Sequence, residues 1–432
     1  MADVLEKLIL PDIPDLHKIE VYERHGGYTA LKKALGMKPE EVIDEVKKSN
    51  LRGRGGACFP TGLKWSFMPK QSAKPKYLCA NGDESEPGTF KDRQIFEFNP
   101  HLFVEGALIA AYAMGITAVY TYVRGEYAKW IRILQGAVDE AYAKNYIGAN
   151  IMGSGFNVEF VVYRGAGAYI CGEESALMNS LEGDRGYPRI KPPFPAAVGV
   201  WGCPTTINNV ETLANAPIII NRGWEWYSKI GAPKQPGPLL FGISGHVNKP
   251  GVYELPTGVL LTDIIEKYAG GVPGGKKIKA VIPGGSSTMW LKGSELDGVK
   301  MDADSLKAVG TSIGTGGIIV MDEDTDVLKV LQRIAHFYHH ESCGQCTPCR
   351  EGCGWLEKII GRFIDGEGTL GDIDLLLDVA NNIEGNTICA LGDAAAWPVQ
   401  SFIKKFRNEF EKRARKGPAI HRPVHPPHLV TP

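Results

Sequence analysis

Three short apolar runs, YLCANG (77–82), ITAVYTYV (116–123) and NVEFVVYRG (157–165), are separated by two segments with helical spacing, HLFVEGALIAAYAM (101–114) and EYAKWIRILQGAVDEAY (126–142). Runs of that length are too short for independent helices. Strands alternating with crossover-length helices predict a parallel sheet covered on both faces. Upstream, YTALKKALGM and KPEEVIDEVKKSNL have helical spacing, the second with Pro39 in its first turn. Downstream, INNVETLANAPIII (207–220) is expected as a helix, and the Pro and Gly of GAPKQPGPL (231–239) predict a linker. LLFGISGHV, GVYELP and KIKAVIPGG read as short strands of a small α+β unit, with VLLTDIIEKYAGG (259–271) as its helix. GVPGGKKI and IPGGSST read as turns without nucleotide spacing. From 326 onward DVLKVLQRIAHFYHH, WLEKIIGRFIDG, LGDIDLLLDVANNI and WPVQSFIKKFRNEFEKRARK predict a small four-helix bundle. The proline-rich end, GPAIHRPVHPPHLVTP, is expected to be irregular.

These patterns divide the chain into a helical extension (1–50), an α/β ligand-binding domain (51–235), a small α+β unit (236–325), a helix bundle (326–411) and a tail (412–432). The length of 432 residues supports several such cores. With 48 basic against 49 acidic residues, the chain lacks the net positive charge of a nucleic-acid binder. The N-terminus has no apolar core of a signal peptide, and no apolar run reaches the ~20 residues of a membrane span. Nine cysteines are an odd number and too few for a disulfide scaffold, which points to a reducing compartment and a metal site.

Four of those cysteines lie in HHESCGQCTPCREGCGW (339–355), spaced C-x2-C-x2-C-x3-C. Such spacing turns three thiolates round one centre and resembles a ferredoxin run, but here no proline follows Cys353 and no second run exists. One cluster then needs Cys343, Cys346, Cys349 and a fourth ligand, either Cys353, one helical turn on, or Cys389 in GNTICALGD. Zinc is the structural rival, although adjacent His339 and His340 make poor joint ligands.

In LRGRGGACFPTGLKW (51–65), Gly53, Gly55, Gly56 and Gly62 fall within ten residues. Such a loop lets backbone N–H groups approach a flat or phosphorylated ligand, with Arg54 or Lys64 available for a phosphate. Two further polar loops follow strands: NGDESEPGTFKDR (81–93), with four acids, and GAGAYICGEESAL (165–177), with Glu173 and Glu174 opening a helix. Loops at the carboxyl edge of a parallel sheet form its ligand crevice.

The motifs GRGGAxFPTGxKW, NGDExEPGTFKDR, GAGAYICGEExAL, NNVET and ESCGQCTPCREG…TICALGD occur together and in order. This combination resembles the flavin-bearing, NADH-oxidising subunits of respiratory NADH:quinone oxidoreductase, over roughly residues 10–410. Diaphorase subunits of soluble NAD-linked hydrogenases and formate dehydrogenases share the motifs. A zinc-stabilised scaffold is the reading from another class. The resemblance implies a Rossmann-like FMN domain, a β-grasp (ubiquitin-like) domain of mainly structural role, and a bundle carrying one [4Fe–4S] cluster. It implies FMN contacts from Gly53, Arg54, Gly55, Gly56, Lys64, Asn81, Asp83, Gly172, Glu173, Asn208 and Asn209. It implies NADH contacts from Phe59, Phe67, Glu86, Tyr169, Glu174, Lys191 and Phe194, with Glu84 at the nicotinamide–flavin junction. It also implies Cys343, Cys346, Cys349 and Cys389 as cluster ligands, with Cys353 a packed thiol. The expected partners are a small [2Fe–2S] protein and a larger iron–sulfur protein of the same complex, on the cytoplasmic side of the inner membrane. One departure stands out: Cys58 occupies a position where the family has glycine, and a positive φ there would strain the loop.

Overall fold

The computed structural model describes residues 6–415; the histidine-bearing tail expectation lies largely outside the described residues. Four helices come first, α1 (Ile19–Arg24), α2 (Thr29–Leu35), α3 (Pro39–Lys48) and α4 (Thr61–Ser66). They lead into β1 (Tyr77–Gly82), α5 (Asp92–Phe98), α6 (Pro100–Met114), β2 (Ala118–Val123), α7 (Ala128–Ala143), β3 (Glu159–Arg164), α8 (Glu174–Leu181), β4 (Thr205–Asn209) and α9 (Val210–Arg222). All four strands run parallel in the order β3-β2-β1-β4. Alternation along β1 separates two cores: Leu78 and Ala80 face the layer of α6, α7 and α9, whereas Cys79 faces α8 and the C-terminal helices.

The predicted helix over 207–220 needs a correction, because its first three residues belong to β4. TTINN lacks an apolar run, yet it pairs with β1 and four of its five residues are buried. Its signal was hidden because a strand buried on both sides need not alternate. After α10 (Trp224–Tyr227), the predicted linker is instead packed. Within it β5 (Gly231–Ala232) pairs with β6 (Gln235–Pro236), and buried Gln235 accepts the Ala303 N–H through its side-chain oxygen at 2.7 Å.

The next unit is a mixed five-stranded sheet. It comprises β7 (Pro238–Gly245), β8 (Gly251–Pro256), β9 (Ile278–Ile282), β10 (Leu291–Lys292) and β11 (Gly317–Asp322), in the order β10-β9-β11-β7-β8. The helix expected over 259–271 shrinks to α11 (Leu261–Asp263) and a π turn over Ile264–Tyr268; α12 (Ala303–Ala308) was not foreseen. This unit is strapped to the first sheet by the N-terminal segment. The Glu254 carboxylate accepts the N–H groups of Leu8, Ile9 and Leu10, and Asn99 donates to the Ile9 carbonyl. Four more helices follow among the described residues: α13 (Val327–Glu341), α14 (Thr347–Ile364), α15 (Leu370–Ile383) and α16 (Leu391–Glu411). Their apolar faces share one core with the far face of the parallel sheet, which brings the cysteine run against the sheet's loops. Among the described residues, no helix is long and apolar enough to cross a membrane.

Candidate functional site

From β1 the chain moves outward to β2 and β3, then returns to place β4 on the other side of β1. The carboxyl ends of β1 and β4 therefore form a topological switch point, where open parallel sheets bind ligands. Asn81 lies beside Asn209 in this register, and Ala80 beside Asn208. Asn81 donates to the Gly172 carbonyl at 2.8 Å, which draws the third polar loop onto the end of β1. Asn208 accepts from the Trp65 indole at 3.1 Å, and Asn209 both caps α9 and donates to Asp92 at 2.6 Å. The glycine loop crosses the same edge: a Cβ on Gly55 would sit 3.0 Å from that of Asn209, and Gly56 takes φ +112°. Asp83 accepts from Ser85 through one oxygen, while its other oxygen is buried without a partner. Burial pushes its carboxyl up to about 7. An orphaned acceptor beside a side-chain-free cradle fits a ligand that brings hydroxyl or amide donors, as the ribityl chain and ring of FMN do.

Four charged side chains gather at the N-terminus of α8. Lys191 contacts Glu174 at 2.5 Å and Glu173 at 3.1 Å, and Lys64 reaches Glu174 at 3.2 Å. Glu173 is the N-cap, accepting the Ser175 and Ala176 N–H groups. Burial alone would raise Glu174, but Lys64 and Lys191 hold it below the usual carboxylate range. Around this cluster Phe59, Phe67 and Phe194 are exposed by 43%, 54% and 61%, and the Phe59 and Phe67 rings lie 6.1 Å apart. Exposed rings beside lysines suit a stacked base and its phosphates.

Two expected residues have other positions. Arg54 is buried and donates to the Pro236 carbonyl at 2.7 Å, so it braces the glycine loop from beneath. Glu84 turns its carboxylate onto the start of α5, accepting the N–H groups of Lys91 and Asp92 at 2.7 Å each and the Tyr127 hydroxyl at 3.0 Å. Two residues on, the Glu86 carboxylate instead accepts the Tyr169 hydroxyl at 2.6 Å and the Ser287 N–H at 2.7 Å. Cys58 does take a positive φ, +52°. Its thiol packs on the five-stranded unit near Gln235, 3.7 Å away, and not across the crevice.

The thiols lie on the other side of the 165–173 loop. Cys343, Cys346, Cys349 and Cys389 all pack on one core, and Cys389 is within electrostatic reach of Cys343, Cys349 and Glu173. Burial pushes the Cys389 thiol up to about 12, so a positive centre is needed to hold it as thiolate. Cys353 is buried beside Cys349, their sulfurs 3.8 Å apart, and this contact lowers the Cys349 thiol to about 7. The two histidines of the zinc alternative face carboxylates: His339 bonds Glu357 at 2.6 Å and His340 lies 3.3 Å from Glu341. Among the described residues, no three His, Cys, Asp or Glu side chains converge as ligands of a single ion. A ligand set made of thiols alone suits an iron–sulfur cluster.

The sequence reading missed Ser286, Ser287 and Tyr338, which gather at Glu86 from distant parts of the chain. Only the glycine pair in IPGGSST hinted at a close approach there.

Three family models match successive stretches: the Nuo51 FMN-binding domain over residues 46–218, the SLBB domain over 239–330, and the NADH-ubiquinone oxidoreductase-F iron-sulfur binding region over 329–413. Together with the crevice and the thiols, they define a flavin- and iron–sulfur-binding protein that oxidises NADH. The F subunit of NADH-quinone oxidoreductase from Rickettsia bellii is 55% identical over 398 residues, covering 92% of this chain and 95% of the relative. An F subunit of the same enzyme from Rhizobium meliloti is 54% identical over 400 residues, 92% and 95%. The chain belongs to the family of NADH-quinone oxidoreductase F subunits. It also resembles a crystal structure of an NAD+-reducing [NiFe]-hydrogenase in the H2-reduced state, with TM-score 0.81 and 34% identity over 91% of this chain. There it spans 65% of the hydrogenase chain.

Proposed function

We propose that the chain oxidises NADH at FMN held in the sheet-edge crevice and passes electrons singly toward a [4Fe–4S] cluster on the thiols, as one component of a respiratory NADH:quinone oxidoreductase. The observation that carries this reading is the 165–173 loop. Tyr169 and Glu173 wall the crevice on one side, while Cys171 and Glu173 lie within electrostatic reach of Cys343 and Cys389 on the other. Bound FMN would supply hydride acceptance and single-electron release, and a bound cluster single-electron relay.

The chain's residues do the rest by position and charge. Gly53, Gly55, Gly56 and Gly172 leave room for the flavin, Lys64 faces its phosphate, and Asn81, Asp83, Asn208, Asn209 and Glu173 bond or shape its edges. Phe59, Phe67 and Phe194 stack on the nucleotide base, Lys191 and Glu174 meet its phosphate and ribose, and Glu86 with Tyr169 orients the carboxamide. Cys343, Cys346, Cys349 and Cys389 ligate the cluster, with Cys353 a packed thiol beside Cys349. A small [2Fe–2S] protein and a larger iron–sulfur protein of the complex take the electrons onward, on the cytoplasmic face of the inner membrane. A diaphorase role in a soluble hydrogenase or formate dehydrogenase is the second reading, favoured by the hydrogenase likeness at 34% identity. The 55% identity and 95% coverage of the respiratory relative favour the first.

The test is anaerobic purification with assay of flavin, iron and acid-labile sulfide, followed by NADH addition. Bound FMN, about four irons per chain and bleaching of the flavin by NADH are expected. A zinc-containing protein without flavin or NADH–ferricyanide activity would overturn the reading.

A further inference from the structure

The turn joining β9 to β10, Pro283–Thr288, belongs to the five-stranded unit, yet it is inserted against the 83–91 loop of the parallel-sheet domain. Ser286 donates its N–H to the Pro87 carbonyl at 3.1 Å, and Gly285 donates to Gly317 at 2.6 Å. Gly285 is required for this approach: it takes φ +97°, and a Cβ there would lie 2.6 Å from Glu86 Cγ. The result is a clamp on one carboxylate. Glu86 Oε1 accepts the Ser287 N–H at 2.7 Å and the Ser286 hydroxyl at 3.3 Å, while Oε2 accepts the Tyr169 hydroxyl at 2.6 Å. Ser286 Oγ lies 2.9 Å from the hydroxyl of Tyr338 on α13, and both residues are fully buried.

The direction of this chain is fixed by donor capacity. Both Glu86 oxygens accept hydrogen bonds, which oppose the burial that raises its carboxyl, so Ser286 directs its one proton to Glu86. Its oxygen is then left as acceptor, and the Tyr338 proton fills it. Three parts of the fold therefore set one side chain: the β3–α8 loop through Tyr169, the five-stranded unit through Ser286 and Ser287, and the bundle through Tyr338. Buried networks of this kind hold a group in one rotamer when every member is satisfied.

We propose that Ser286 and Tyr338 are positioning residues for Glu86, so that the five-stranded unit and the bundle both take part in nucleotide binding. The proposal rests on the reading of Glu86 as a nucleotide contact. It gives the β-grasp unit a role at the site beyond the structural one its family resemblance implies.

The experiment is steady-state NADH–ferricyanide kinetics on the flavin- and cluster-loaded protein carrying Tyr338→Phe, Ser286→Ala, Glu86→Gln, and each of the first two combined with Glu86→Gln. Loss of one hydrogen bond to the clamp should raise KM for NADH roughly three- to tenfold, with kcat changed less than about twofold and flavin and iron content unchanged. In the Glu86→Gln background the same substitutions should add almost nothing, because their effect runs through that carboxylate. Unchanged KM in Tyr338→Phe, or effects fully additive with Glu86→Gln, would overturn the proposal. Should Ser286→Ala fail to fold, Tyr338→Phe, which removes a single oxygen, still decides. An unsubstituted protein without flavin or NADH oxidation would instead defeat the functional reading itself.

Discussion

At the sheet edge the charged groups of the crevice other than Asp83 already have partners: Lys64 and Lys191 with Glu174, Lys191 with Glu173, and Glu86 with Tyr169 and Ser287. Across the 165–173 loop, no cationic side chain is among the groups acting on Cys343 and Cys389: burial and the neighbouring thiols raise them, and backbone N–H groups of Gln345 and Leu391 offset this only in part. The crevice is organised by the protein and receives its ligand. The thiol end is gathered by the protein but balanced electrically only by a metal centre, because buried thiolates repel each other without one. Loss of flavin should therefore be reversible and leave the fold standing, whereas loss of the cluster should loosen the 342–346 and 384–390 segments.

The largest effect should come from breaking the thiol end. Cys389→Ala removes one of four proposed ligands, and iron and acid-labile sulfide should fall to a small fraction of the unsubstituted value, with flavin retained. Cys353→Ala should keep the cluster, since Cys353 is buried beside Cys349 and contacts its sulfur at 3.8 Å as a neighbour within the same helix. Iron analysis and low-temperature EPR of the reduced proteins make the comparison. Loss of the cluster in both variants would sink the ligand assignment.

Next in size is the crevice. Lys64→Met removes the cation that faces the proposed phosphate and leaves Glu174 to Lys191 alone. A charge-assisted contact is worth about 1.5–3 kcal/mol, so FMN affinity should fall roughly ten- to hundredfold while iron content stays constant. Fluorescence titration of the flavin-free protein measures it. If cluster and flavin fall together, the two regions are not separable in the way their partners suggest.

A smaller effect concerns proton linkage in the flavin-free chain. Burial raises Asp83 to about 7, against about 3.9 for an unfolded aspartate. Between those values the folded state holds a proton that the unfolded state has lost. The Asp83 contribution to stability therefore decreases as pH rises through this window and levels off above about 7. Asp83→Asn should remove that part of the slope, so that the Tm difference between about pH 5 and about pH 8 shrinks toward higher stability at the upper value. An unaltered difference would show that the unpartnered Asp83 oxygen is solvated in solution.

The same two regions differ in how much the sequence revealed. The three polar loops were legible because each follows a strand whose apolar run is plain, and because glycine and acid clusters are local. The thiol run was equally visible, but whether Cys353 or Cys389 closes the set depends on how α14 and the loop before α16 face each other, which spacing does not encode. Asn208 and Asn209 were read at the start of a helix although they end β4, since TTINN carries no apolar signature. Glu84 and Glu86 are two apart in one acidic loop and looked alike, yet one caps α5 and the other is clamped by Tyr169 and Ser287. That distinction comes from partners about 200 residues away, in a turn that looked ordinary by itself. The basic residues along and just after the end of α16 likewise have partners that their local sequence does not reveal. Lys405, Arg407 and Arg413 pair with Glu295, Asp374 and Asp326.

The smallest expected effect lies where the glycine loop meets the five-stranded unit. Cys58 holds φ +52°, a region that costs an ordinary residue about 1 kcal/mol more than glycine. Its thiol offsets part of that cost by packing against the five-stranded unit near Gln235, and it does not narrow the crevice. Cys58→Gly should therefore change Tm little, strain relief opposing lost contact. Because the strain sits three residues from Gly55, FMN affinity should rise, by at most about fivefold if the full kcal/mol reaches the loop. Equal FMN retention and equal NADH affinity in the two proteins would mean that the Cys58 strain stays local. The crevice would then be set by its charge pairs and the clamp on Glu86, with the glycine loop following them.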